Sequence, residues 1–127
     1  MEIKKNIRVG DRIRFVDFVC DMCEKDGKQY YALFDYAWRI AVITFFAPEA
    51  ELDKMDTDEM CDFVYSRQGI EIVEDPDIAV ITAGLYEACE AEMKDRKEKY
   101  MKVFDAINHP DPLDRIADAF AEIAGNL

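Results

Sequence analysis

The stretch Tyr30–Phe46, YYALFDYAWRIAVITFF, constrains the fold more than any other part of the chain. Only Asp35, Arg39 and Thr44 interrupt its apolar character. Read as a helix, it gathers Ala32, Asp35 and Arg39, with Lys28 before it, into one narrow sector and leaves the rest of the circumference aromatic or aliphatic. Asp35 and Arg39 stand four apart, so they can pair on the helix surface. From Ile40 onward, Ile43 and Phe46 close even the polar sector, and the segment sinks deeper into its surroundings until Pro48 stops it. A helix that is apolar on nearly every side must be covered by its own chain or by another subunit. It is too short and too charged to span a bilayer, which takes about 20 mostly apolar residues. The stretch therefore predicts a core helix, and the sharper alternative is that part of its aromatic face is an oligomer or partner interface. The interface candidates are Tyr30, Tyr31, Phe34, Trp38, Phe45 and Phe46.

The flanking sequence supplies helices to wrap it. Between Asp11 and Lys25 the residues Ile13, Phe15, Val16, Phe18, Val19, Cys20, Met22 and Cys23 give a helix a broad apolar face, although RIRFV alternates briefly like a strand. Lys25-Asp26-Gly27-Lys28 reads as a turn, with Gly27 in the left-handed conformation that ends a helix, and so short a link should pack the two apolar helices antiparallel as an αα-hairpin. Residues 48–59 form an acidic connection. Asp56 with Glu59 is a capping-box signal, Met55 and Met60 are spaced as a hydrophobic staple, and a helix follows to about Ser66, with Gly69 after its end. Ile70–Val73 alternates weakly, as a short strand or an extended link. Asp75-Pro76 opens a further helix whose apolar positions run from Ile78 to Ile107. Between Glu90 and Lys99 those positions thin out, and the pairs Glu90–Lys94, Glu92–Arg96 and Asp95–Lys99 take their place, so the helix either projects from the body or breaks and folds back. His109-Pro110 ends it, and a short terminal helix covers Leu113 to about Ala124. The expected fold is all-α, or mainly α. It is a single domain over residues 1–127, a helical bundle around the buried second helix, with residues 1–10 as an arm and 76–108 as a long charged helix.

At 127 residues the chain can bury one self-sufficient core. The net charge of −12 is unevenly placed: residues 1–47 carry eight basic against seven acidic side chains, and residues 48–127 carry eight against twenty-one. Such a surface repels phosphate backbones and anionic lipid, so no direct nucleic-acid or membrane binding is expected, although an acidic chain can imitate nucleic acid toward a DNA-binding protein. The opening MEIKKNIRVGD is mixed and polar, unlike an export signal, and the four cysteines are then expected to be reduced thiols in a cytoplasm. Cys20-x-x-Cys23 falls near the C-terminal end of its predicted helix, among Asp17, Asp21 and Glu24, the wrong setting for an activated thiol. With Cys61 and Cys89 it makes a four-thiolate set that lacks the second Cys-x-x-Cys of strong zinc patterns. His109, the sole histidine, stands before proline with no nucleophile near it in sequence. A calcium-loop frame from Asp56 fails at Cys61 and Arg67, where glycine and glutamate are required. No catalytic residue, cofactor, metal-ligand set or small-molecule substrate is indicated.

The series RIRFVDFVCDMC, a short link, YYALFDYAWRIAVITFFA, an acidic link and DEMCDFVYS resembles small helical proteins encoded among the virion genes of tailed phages and prophages of Gram-positive bacteria. Their long charged helix followed by a short one is similar to Glu87–Ile107 and Leu113–Ile123 here. The resemblance implies a tail-assembly chaperone or minor morphogenesis factor in the host cytoplasm, and it brings no catalytic residues. The expected function is a non-enzymatic assembly or adapter protein that binds apolar segments of a partner or associates with itself. Two alternatives stand beside it: an acidic nucleic-acid mimic that inhibits a DNA-binding protein, and a metal or thiol protein built on the four cysteines.

Overall fold

The computed structural model describes residues 2–108 and 122–123. Helices dominate: α1 (Val9–Met22), α2 (Phe34–Phe46), α3 (Thr57–Val64), α4 (Arg67–Val73) and α5 (Pro76–Asn108). A two-stranded hairpin, β1 (Glu24–Lys25) and β2 (Lys28–Gln29), joins α1 to α2. The fold is mainly α, as the apolar rhythm predicts. His109 and the expected terminal helix from Leu113 lie outside the described residues, except that Glu122 and Ile123 are helical.

The central helix begins at Phe34 rather than Tyr30. Tyr30 leaves β2 extended, its N–H donating to the Cys23 carbonyl at 2.8 Å, and Tyr31–Leu33 form a 3₁₀ turn. That turn has three residues per repeat instead of 3.6, which rotates the first rings away from the core. Beyond it the prediction holds: Ala37, Ile40, Ala41, Val42, Ile43 and Phe46 are buried, and Thr44 is exposed. The sheath is made by α1, α3, α4 and the 3₁₀ turn Pro48–Ala50. The N-terminal arm closes the far end, with the Lys4 N–H donating to the Phe46 carbonyl at 2.7 Å and Ile3 and Ile7 packed on the core.

The Asp26-Gly27 link is a hairpin turn, not a helix cap. Both residues are left-handed, at φ 54° and 81°, the geometry a two-residue hairpin loop needs and one that Asp-Gly favours. Strand pairing of Glu24 with Gln29 and Lys25 with Lys28 is what stops α1 at Met22. The α3 capping box forms as predicted, Glu59 N–H to Asp56 Oδ1 at 2.8 Å and Asp56 N–H to Glu59 Oε1 at 3.5 Å. Residues Ile70–Val73 are helical rather than extended, because Ser66 caps a new helix by accepting the Gly69 N–H at 3.2 Å. Gly69 lies inside α4: a Cβ there would stand 2.2 Å from the Phe63 carbonyl oxygen, so α4 crosses the end of α3 at a distance only glycine permits.

Asp75 caps α5 by accepting the N–H groups of Asp77 and Ile78 at 3.0 and 3.2 Å. Ile78, Thr82, Leu85, Cys89 and Met93 form its buried stripe. Between Glu90 and Lys99 α5 neither breaks nor leaves the body. Arg96 donates to Glu92 at 3.0 Å and reaches α1 at Asp21 (2.8 Å) and Asp17 (3.4 Å). The contacts Cys20–Cys89, Asp21–Arg96 and Gly27–Tyr100 advance together along both segments, so α1 and α5 run in the same direction.

Candidate functional site

The sheath around the central segment is incomplete at its N-terminal end. Tyr30, Tyr31 and Leu33 are 41%, 49% and 41% exposed, and Tyr86 of α5 is 45% exposed. Behind Tyr86 stand Phe34, almost buried, and the half-buried Trp38. Tyr86 meets Phe34 edge-on at 5.0 Å and Trp38 at 5.2 Å, Phe34 stacks on Trp38 at 6.2 Å, and Phe15 backs Trp38 edge-on at 5.1 Å. Edge-to-face pairs of this kind contribute about 0.5–1.5 kcal/mol each beyond the area they bury, so the rings hold one another in place. Lys97 lies 6.0 Å from the Tyr31 ring centroid. A groove of about 570 Å³ continues from Tyr31 along Lys94, Lys97, Met101 and Lys102. Lys102 also pairs with Glu122. The surface is thus an open aromatic patch whose margin carries both signs of charge, Lys94, Lys97 and Lys102 beside Glu98 and Asp105.

A polar cluster frames its other side. Asp35 Oδ2 accepts from Arg39 Nε at 3.0 Å and from the Tyr65 hydroxyl at 2.9 Å. The Arg39 guanidinium lies 5.1 Å over the Tyr65 ring, and Tyr36 stacks on that ring at 6.4 Å. Burial raises the Tyr36 phenol pKa, and burial together with the bond to Asp35 raises that of Tyr65. The cluster fastens α2 to the end of α3.

The six sequence-predicted interface residues divide. Tyr30 and Tyr31 are at the surface, and Phe34 and Trp38 lie beneath Tyr86. Phe45 packs instead on Phe15 and Phe18 at 5.4 and 6.1 Å. Phe46 has no exposure and belongs to the core, because the N-terminal arm covers its end of α2. Leu33 and Tyr86 complete the surface and were not among the six. Leu33 was hidden by assuming α geometry across a 3₁₀ turn. Tyr86 sits beside the buried stripe of α5, a position that gains meaning only once α5 is known to lie next to Phe34.

The other candidates take structural roles. Cys20, Cys23 and Cys89 are buried, with Cys20 Sγ donating to the Cys89 carbonyl at 3.6 Å, whereas Cys61 is exposed on α3. Burial pushes the Cys20 and Cys89 thiols up to about 12, overriding the opposing pull of Arg96 on Cys20. Among the described residues no group of three or more His, Cys, Asp or Glu is placed to hold a metal ion. Several acids of the 48–77 segment are engaged locally: Asp56 and Glu59 in the capping box, Asp75 at the start of α5, Asp77 with Lys5 at 2.7 Å and Glu51 with Lys54 at 3.2 Å. No helix among the described residues is long and apolar enough to cross a membrane. No protein-family model, curated protein or solved structure matches the chain.

Proposed function

We propose that this protein is a non-enzymatic assembly or adapter factor of the cytoplasm that binds apolar segments of a partner chain, in the manner of a phage tail-assembly chaperone or minor morphogenesis protein. The observation that carries this reading is the exposure of Tyr30, Tyr31, Leu33 and Tyr86 at the N-terminal end of the apolar segment, with Tyr86 held on Phe34 and Trp38. Tyrosine and tryptophan anchors give large contact area at small entropic cost, and a patch already locked by ring packing loses little more on binding. The margin carries both signs, Lys94, Lys97 and Lys102 with Glu98 and Asp105, so the rings rather than net charge would select the segment.

Trp38 is the only tryptophan and lies in the wall of the patch, so its emission reports directly on occupancy. Titration with synthetic peptides that carry an apolar, aromatic-rich core should give a saturable blue shift, and peptides with that core replaced by serine should give none. The double change Tyr31→Ser and Tyr86→Ser should abolish it while leaving the circular dichroism intact. Equal affinity of the double variant, or no response to any peptide, contradicts the reading.

A further inference from the structure

α5 has a second open face, on the flank away from the ring surface. Val80, Gly84, Ala88, Ala91 and Asp95 recur three or four apart along one line of the helix. Tyr86 and Lys97 each stand two residues from that line, about 200° round the helix. Ile13 and Val16 of α1, with Leu85, Ala88 and Ala91 of α5, wall a trough of about 640 Å³. Val80, Val9 and Ile13, at 79%, 77% and 63%, are the most exposed large apolar side chains among the described residues, and all three border this face. A Cβ at Gly84 would meet nothing within 4 Å, so the middle of the face is flat and admits close approach.

The charges on the rim are polarised. Arg12 stands at the end where α1 begins, and Asp17, Glu92 and Asp95 stand at the other, where Arg96 pairs with Asp17 and Glu92 and Lys99 with Asp95 at 3.0 Å, leaving the acids in excess. The geometry points to a second copy of this chain as the occupant, its α5 lying antiparallel over Val80–Asp95. A two-fold axis through Ala88 carries Glu92 of the second copy to the level of Gly84 and Asp95 to that of Ile81, beside Arg12. Each Arg12 then faces the acidic end of the other copy, twice over. A foreign helix would need the same polarity built into its own sequence; a second copy brings it by symmetry. The strip is about 24 Å long and two helices wide. The total buried area is therefore on the order of 1,000 Å², the lower end for specific interfaces. The ring surface stays open in this arrangement, so one dimer presents two of them.

Sedimentation of the full chain at roughly 100 µM should show a dimer. Ala88→Arg places a large charge in the trough at an exposed position, and should give a monomer with unchanged helicity and melting. Arg12→Glu and Asp95→Lys should each weaken self-association at least roughly tenfold, because like charges then meet at both ends. An equimolar mixture of those two variants should associate again, since each contact then joins opposite charges. A wild-type monomer, a dimer indifferent to Ala88→Arg, or a mixture no tighter than either variant alone would each overturn the proposal.

Discussion

Replacing Gly69 and Gly84 by alanine separates packing from helix propensity, because both glycines are helical but their surroundings differ. Alanine is favoured over glycine within a helix by about 1 kcal/mol. At Gly84 a Cβ meets nothing within 4 Å, so that gain is kept. At Gly69 the same atom would stand 2.2 Å from the Phe63 oxygen, 2.8 Å from the Val64 oxygen and 2.9 Å from the Val64 carbonyl carbon. These are backbone atoms and cannot rotate away. Relief requires α4 to lift by about 1 Å, and a gap of that size forfeits roughly a quarter to a half of each contact's attraction along the helix. The loss falls on Ile72, 4% exposed, and on the packing of α4 against α2 and α3. Overpacking typically costs 1–3 kcal/mol, and with no flexible neighbour the upper end applies. After the propensity gain, Gly69→Ala should destabilise by about 2 kcal/mol and Gly84→Ala should stabilise by about 0.5–1 kcal/mol. Urea unfolding of dilute protein, followed by circular dichroism, reads both as shifts in midpoint at constant slope. A Gly69→Ala variant as stable as the parent would refute the seating of α4 on the end of α3.

Other consequences follow from the buried groups. Native protein should titrate with a disulfide reagent at one thiol, Cys61, and at all four after unfolding; rapid labelling of Cys20 or Cys89 would contradict their burial. Those two thiols ionise near 12 when folded against an ordinary 9.0, so the stability gained by keeping them neutral is full below pH 9 and drains as pH rises toward 12. The slope is at most about 1.4 kcal/mol per pH unit per thiol, and Cys89→Ala should flatten the alkaline limb of a melting-temperature profile. Arg96→Met removes the tie from α5 to Asp17, Asp21 and Glu92, and should cost about 1 kcal/mol at low salt and less at high salt, read by melting at two ionic strengths. Trp38→Ala should cost about 2–3 kcal/mol, below the value for a fully buried ring, and should also loosen Tyr86, seen as loss of its ring-shifted proton resonances.

Much of this architecture was legible because its signals are local. The apolar run to Phe46, the Asp56–Glu59 capping box, and the Asp75-Pro76 start of α5 each depend on residues within one or two turns of one another. What escaped depends on distant neighbours. The Asp26-Gly27 dipeptide fits a hairpin as well as a helix end, and Tyr100 packing 3.0 Å from the Cβ position at Gly27 is a tertiary fact. Gly69 reads as a terminator until α3 is known to end directly beneath it. The thinly apolar Glu90–Lys99 span reads as solvated because Arg96 finds its partners on α1, more than seventy residues earlier. The open aromatic surface was half visible for the same reason: Tyr30 and Tyr31 lie in the conspicuous run, whereas Tyr86 is brought to Phe34 only by the packing of α5.

The central apolar segment is sealed over Ile40–Phe46 and open at the rings that precede Phe34. Amide hydrogen exchange followed residue by residue tests this in a single experiment. Amides of Ile40–Phe46 should exchange only through global unfolding, the slowest in the molecule, while those of Tyr31–Leu33 exchange orders of magnitude faster and slow down when an apolar peptide is bound. Fast exchange across Ile40–Phe46, or Tyr31–Leu33 amides as protected in the free protein as the core, would contradict it.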